Sequence, residues 1–405
     1  MSSPQVTKLR FEHHHNGLGI DTSRPRLSWS FETSPSTASS WVQTHYEVEV
    51  TFSGTSDAQV FAIASADSVL VPWPARDLLS RESHQFGPWC AAVTVETALL
   101  DSRHFKANFI TSADRIGPYG PLRPIRFYKE FILPQETTGI SRARLYITSL
   151  GVFEATINGQ RVGNEVLAPG WTSYNHRLIY RIYDVTSLLL PGQKNIISAE
   201  VAEGWYAGRL GFKGGKRFRY GDELGLFAQF EVQDTAGKVS WDLVSDDTWS
   251  CTTSPIITSE IYDVEVHDMN HVFANPLGTR ILSRPSAQLV APDIPPVRVT
   301  ETISCKRVFR SYSGKSILDF GQNLVGKLFI PSLLTEKDKC VTFRHAEVME
   351  NGELRTRPLR DAKCCDTIIG SGYTLSDWSP KFTFHGFRYV EVEGWPGHGP
   401  SPNDV

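Results

Sequence analysis

The sequence predicts an all-β protein of three tandem β-sandwich units, on three observations. Short segments with strict apolar–polar alternation recur along the whole chain, helical periodicity never runs beyond about ten residues, and 31 Gly and 24 Pro are scattered as turn punctuation. Alternation with period two places one set of side chains on a core face, and many short strands broken by turns build sandwiches or barrels. The balance of 41 Lys+Arg against 44 Asp+Glu gives a formal charge of −3, which argues against nucleic acid as a partner. No apolar run approaches the ~18 residues of a membrane span, so no membrane partner is expected.

In chain order, YEVEVTF at 46–52 alternates cleanly, as do RLYIT at 144–148, VFEATI at 152–157, LFAQFEV at 226–232 and GFRYVEVE at 386–393. The segment 112–126 carries three Pro and two Gly, and 284–298 carries four Pro. Proline cannot serve interior ladder positions, so both read as extended connectors. The expected units are 5–111, an immunoglobulin/fibronectin-like sandwich; 127–292, a jelly roll; and 299–397, a larger antiparallel sandwich. Asn158–Gly159 predicts a two-residue hairpin turn. Asp184 is expected to cap a short helical turn, and Asp319 and Asn323 to organise a turn in DFGQN.

The start, MSSPQVTKLRFEHHH, shows no apolar leader segment, and six scattered cysteines form no disulfide framework, so a cytoplasmic chain with free thiols is expected. Three consecutive histidines, His13–His15, cannot all face one ion and read as a solvated loop. With no C-x-x-C pair and no histidine at zinc spacing, no metal site is expected. No phosphate-binding glycine loop, dinucleotide fingerprint or serine-hydrolase elbow is present.

Longer stretches bear a resemblance to a known family. EHHHNGLGIDTSRPRLSWSF followed by QTHYEVEV resembles the first sandwich of the α-L-rhamnosidases, glycoside hydrolase family 78. The run ARLYITSLGVFEATINGQRVGNEVLAPGWTSYNHRLIYRIYDVTSLL, then GWYAGRLGF, is similar to that family's N-terminal jelly-roll domain. DFGQNLVGKL, FRHAEVMENGELRTRPLRDA and FTFHGFRYVEVEGWPG resemble its concanavalin-like sandwich. The resemblance implies hydrolysis of terminal α-L-rhamnose from glycosides by an inverting enzyme. It also implies that the chemistry sits in an (α/α)6 barrel with an acidic motif of the type DCPQRDER. Neither that motif nor a helical stretch fit for a barrel occurs in this sequence. The chain is therefore expected to be the non-catalytic front part of such an enzyme, with a rhamnosylated glycoside or oligosaccharide and a catalytic (α/α)6 domain, in cis or in trans, as partners; the alternative expectation is a free-standing lectin-like module that holds rhamnosides. Calcium is implied only by analogy with members whose jelly roll binds rhamnose through it, and the ligands do not map onto this chain.

Two constellations remain as site candidates. In YDVEVHD, Asp263 and Glu265 would share a strand face, and paired carboxylates ~6.5–9.5 Å apart suit an inverting glycosidase; solvated acids on an edge strand would look the same. The family usually has Gly where this chain has Val264. The second is a sugar platform on the loops APGWTSYN and EGWYAGR: Trp171, Tyr174, Asn175, Trp205, Tyr206 and Arg209. Aromatic faces accept sugar C–H surfaces, and amide and guanidinium donors meet hydroxyl edges. The competing expectation is that both tryptophans only anchor their loops. His345 and Glu347 are expected on the strand face of Phe343, as a satisfied polar contact.

Overall fold

The computed structural model describes residues 5–14, 16–32, 41–52, 57–86, 93–114, 120–134, 140–234, 238–273 and 275–405. His15 and Cys90 lie outside them. The architecture is all-β. In Tyr46–Phe52 the alternation becomes burial directly: Val48, Val50 and Phe52 point inward while their neighbours stay half-buried or exposed. This strand lies in a five-stranded sheet ordered Leu18–Ile20, Val93–Thr97, Ser83–Phe86, Tyr46–Phe52, Ala58–Ile63. The pair Gln5–Phe11 and Leu27–Glu32 faces it across a core of Phe11, Leu27, Trp29, Val50, Trp73 and Phe86.

Among the described residues the central unit carries a continuous hydrogen-bonded path of ten strands, with an eleventh, Val239–Val244, branching off it on Gly225–Gln233. Strand Arg142–Leu150 is buried on both faces: Leu145 and Ile147 enter the inner core with Phe127, Phe131 and Phe230, while Tyr146 and Leu150 enter a second cluster with Phe109, Tyr180 and Phe227. Asn158 (φ 51°) and Gly159 (φ 78°) make the expected tight hairpin between Val152–Ile157 and Gln160–Arg161. Asp184 Oδ1 accepts from the Thr186 N–H at 3.0 Å, just before a 3-10 turn at Thr186–Leu188. The third unit is a seven-stranded sheet, ordered Ile256–Glu260, Val264–Asp268, Cys365–Ile369, Cys340–Ala346, His385–Glu393, Ser316–Gly326, Arg307–Arg310. The pair Ile330–Leu334 and Thr374–Trp378 packs on it over Leu318, Phe343, Ile368, Phe387 and Val390.

Strands cross between the expected units. Ile110–Ser112 pairs with Leu226 and with Leu277–Ile281 in the central sheet, and the hairpin Ile256–Asp268 is ordered into the third sheet, with Val264–Asp268 parallel to Cys365–Ile369. Charged seams accompany the crossings. Between the first and central units, Arg144 forks onto Glu96 with two 2.8 Å bonds, and Arg81 forks onto Glu231 at 2.6 and 2.7 Å. Bidentate pairs of this kind fix orientation as well as charge. Asp319 organises a local turn as expected: its Oδ1 accepts the Gly321 N–H at 2.9 Å, with Gly321 at a φ of +81°. It lies inside Ser316–Gly326, whose pairing with His385–Glu393 is bulged between Asp319 and Leu324, and takes Arg307 and Arg388 on its carboxylate. Among the described residues no helix is long and apolar enough to cross a membrane.

Candidate functional site

Three segments of the central unit converge on the tryptophan loops. The chain leaves Lys194–Ala202, passes Glu203 and turns at Gly204, whose φ of +51° suits glycine; a Cβ there would meet Val152 Cγ1 at 2.6 Å. That turn starts the single helical turn Gly204–Ala207 and sets Trp205 facing Trp171. The indoles are parallel, 3° between planes with centroids 5.9 Å apart. Trp171 is 53% exposed, so an aromatic face stands open to solvent, while Trp205 behind it packs against Val152, Leu167, Ile256 and Phe382.

The other candidates divide. Asn175 is exposed at the tip of the Ser173–Arg177 turn. Tyr174 is not a surface group: it is 4% exposed, donates its hydroxyl to the Gly170 carbonyl at 3.3 Å and packs edge-on against Tyr206 and tilted against Tyr220. Burial drives its pKa up. Tyr206 is half-buried, and a Cβ on Gly221 would meet its hydroxyl at 2.2 Å, so glycine there is what admits the ring. Burial, then Asp222 and Glu223, pushes the Tyr206 hydroxyl up to about 12. Arg209 binds Asp263 Oδ1 at 2.7 Å and Glu260 Oε2 at 3.4 Å.

Beneath these loops lie acids that sequence reasoning missed. Glu203 is fully buried; it accepts from the Leu122 N–H at 2.7 Å and pairs with Arg217. Glu260 is 3% exposed, and Oε1 has no partner among the described residues. Burial raises both pKa values, with Asp263 adding to the effect at Glu260. Glu203 stands directly before the GWYAGR loop, and that adjacency was the available signal.

The pair Asp263 and Glu265 is not a catalytic constellation. Asp263 sits in the turn before strand Val264–Asp268, so the two do not share a strand face. Glu265 is 0% exposed on an interior strand, and both its oxygens are taken: the Lys381 and Phe382 amides donate at 2.6 and 2.7 Å, and His267 Nε2 lies 2.6 Å away. The Trp378 indole N–H donates to His267 Nδ1 at 3.2 Å, which puts the histidine proton on Nε2, toward the carboxylate. Neither leaving-group oxygen nor water can reach such a group. Beside it, Lys381 Nζ bridges Glu200 at 2.7 Å and Glu154 at 3.2 Å, tying the third unit to the central one.

His345 is fully buried beside Phe343, but Glu347 leaves the strand and is exposed, taking an amide bond from Asn323 at 3.3 Å. What joins His345 instead is Asp366 and His385. Their donor atoms lie within 4.8 Å of one another, and all three residues are buried. His385 Nε2 is 2.9 Å from Asp366 Oδ2. Burial, then the neighbouring His385, lowers His345 to about 3; burial works against charge on His385 too, but Asp366 lifts it to about 9.

Comparison with known proteins agrees with this domain order. Residues 6–101 match the "Rha78A-like, N-terminal immunoglobulin domain", 138–301 the "Alpha-L-rhamnosidase N-terminal domain" and 309–405 the "Bacterial alpha-L-rhamnosidase concanavalin-like domain". An α-L-rhamnosidase of Streptomyces avermitilis is 37% identical over 323 residues, covering 76% of this chain and 31% of that protein. One of Formosa agariphila is 32% identical, covering 95% of this chain and 44% of that protein. The crystal structure of native α-L-rhamnosidase from Aspergillus terreus superposes with a TM-score of 0.92 at 45% identity, covering 99% of this chain and 48% of that one. The chain thus spans from under a third to just under half of the length of these relatives.

Proposed function

Since the chain belongs to the α-L-rhamnosidase family through these three domains, we propose that it works as the accessory, carbohydrate-contacting region of such an enzyme and does not cleave glycosides itself. The ligand is a terminal α-L-rhamnosyl unit of a glycoside or oligosaccharide, and the partner is an (α/α)6 catalytic domain in cis or in trans. The observation that carries the reading is the Trp171–Trp205 stack. It offers a flat, half-exposed indole backed by a second ring, the surface on which a sugar's C–H face gains dispersion and excludes water. The exposed Asn175 supplies an amide on the Trp171 loop, and Arg209, held by Asp263 and Glu260, supplies a fixed guanidinium on the Trp205 side.

The carboxylates beside the platform do not fit a calcium ion. Glu203 pairs with Arg217, and Asp263 and Glu260 with Arg209, so of the Glu203 and Glu260 oxygens only Glu203 Oε2 and Glu260 Oε1 stay without a partner among the described residues, whereas calcium asks for six to eight oxygen ligands. The binding step is therefore assigned to rings and donors alone.

An assay of the chain with an aryl α-L-rhamnoside tests the non-catalytic part. Enzymatic accelerations begin near ~10⁶-fold, so even a weak catalyst would stand clear of the spontaneous rate. No turnover is expected. Turnover that disappears in Asp263→Asn would reverse the reading.

A further inference from the structure

We propose that two loops from different units, 209–219 and 355–363, form one docking surface for an acidic saccharide, carboxylated or sulfated. This rests on the reading of the central unit as sugar-contacting, and narrows its ligand to an anionic chain. The two segments hold nine Lys and Arg and a single acid, Asp361, in a protein of formal charge −3.

The fold knits the segments together. The Gly214 N–H donates to Asp361 Oδ2 at 3.0 Å, and the Arg360 guanidinium carbon lies 5.9 Å from the centroid of the Phe212 ring. Asp263 accepts from Arg209 at 2.7 Å and from the Lys363 N–H at 3.4 Å. Leu210 and Lys216 exchange backbone hydrogen bonds of 3.0 and 2.8 Å, which closes the first loop on itself and leaves Phe212 at its tip, 83% exposed.

Four of the nine cations are engaged inside the protein: Arg209 with Asp263 and Glu260, Arg217 with Glu203, and Arg355 and Arg357 with Glu350. The other five, Lys213, Lys216, Arg219, Arg360 and Lys363, are exposed and hold no ion pair among the described residues. Like charges gathered on one face repel, and an anion relieves the repulsion. Lys213 and Arg360 also have φ of 55° and 57°, the left-handed region that long side chains occupy at a cost.

Three features favour a saccharide over another polyanion. Phe212 sets an aromatic face among the cations, which suits a sugar's C–H surface, while guanidinium forks suit carboxylate or sulfate oxygens. Arg209, the guanidinium on the Trp205 side of the platform, opens the first loop, so platform and patch are continuous in the chain. The overall negative charge disfavours nucleic acid.

The test runs the full chain in native gels cast with polygalacturonate, dextran sulfate or neutral dextran, taking Kd from the retardation. L-Rhamnose is followed separately by tryptophan fluorescence. Retardation by a polyanion and none by dextran is expected, and the polyanion that retards more identifies carboxylate or sulfate. Retardation should fade with added salt, because exposed charges are screened beyond about 8 Å at physiological ionic strength. Lys213→Glu/Lys216→Glu/Arg360→Glu should weaken polyanion binding about tenfold or more and leave the L-rhamnose isotherm unchanged. The control Lys238→Glu/Lys337→Glu/Lys339→Glu, with the same charge change at exposed positions elsewhere, should shift polyanion binding less than about twofold. If the first variant loses its native circular dichroism, Lys213→Ala/Lys216→Ala/Lys363→Ala carries the same comparison. No retardation by either polyanion, an equal loss in the control, or single-stranded DNA bound as tightly as the polyanion would overturn the proposal. Failure of polyanion binding with L-rhamnose still saturating strikes the patch alone; failure of both ligands strikes the platform reading as well.

Discussion

The two ends of the strand Val264–Asp268 hold acids in opposite ways. At its mouth, Asp263 reaches out of a turn to Arg209, both partners partly wet. Two residues on, Glu265 is closed off completely, its oxygens shared among two amides and a histidine. The first acid belongs to the aromatic platform of the central unit, and the second to the joint that carries this hairpin into the third sheet. Sequence proximity therefore says little about shared chemistry when a chain crosses from one unit to the next. A turn and one strand residue separate a surface ion pair from a buried anchor.

The contrast can be broken first at Glu265. Removing the Glu265 carboxylate takes the acceptor from the Lys381 and Phe382 amides and from His267 Nε2–H, and each stranded buried donor costs about 1–3 kcal/mol. Glu265→Ala should therefore lower chemical-denaturation stability by that order, or prevent folding. A loss under about 1 kcal/mol would mean that the buried anchor is not what joins the units.

Glu260 gives a smaller effect with a distinctive sign. Burial raises its pKa above the ordinary glutamate value of 4.5. The unfolded chain then ionises first as pH rises, so the group's contribution is intact below about 4.5 and is lost as pH climbs through the raised folded value. Glu260→Gln removes that penalty. Melting temperatures should show the variant gaining on the wild type between pH 4 and pH 7; a variant that instead falls behind over that interval would contradict the assignment.

The smallest effect is expected at Asp263. Asp263→Asn breaks a partly exposed pair, worth about 0.2–1 kcal/mol. Equal losses at Asp263 and Glu265, measured in the same denaturant series, would erase the distinction between platform and joint.

Much of this was legible in the chain. Alternation marked Tyr46–Phe52 and Val152–Ile157, Asn158–Gly159 marked its hairpin, and the long motifs marked the family. Trp171 and Trp205 were found because each sits in a glycine-bounded loop, and the fold stacks them. Tyr174 was read as a surface ring because an aromatic residue in a loop carries no mark of burial; only its packing on Tyr206 and Tyr220 supplies it. Glu265 followed the same course, since alternation gives the face of a strand but not whether a neighbouring unit covers it. The His345–Asp366–His385 cluster was invisible because ligand-spacing rules detect donors on one turn or loop, and here adjacent strands bring distant segments together. Even alternation failed locally: Phe387 and Val390 enter one core although their parity differs, where pairing with Ser316–Gly326 is bulged.

The central claim is that the Trp171 face receives a sugar. Titrating the chain with L-rhamnose while following tryptophan fluorescence, alongside Trp171→Ala, tests it most directly. Trp171 is half-exposed, so the variant should keep its melting temperature within a few degrees. Stacking contributes about 0.5–1.5 kcal/mol, which at 1.4 kcal/mol per tenfold predicts a two- to tenfold weaker isotherm in the variant. A saturable isotherm weakened in this way is the expected result. An isotherm unchanged by Trp171→Ala, or no saturation in the wild-type chain, would contradict the account and leave the two tryptophans as loop anchors.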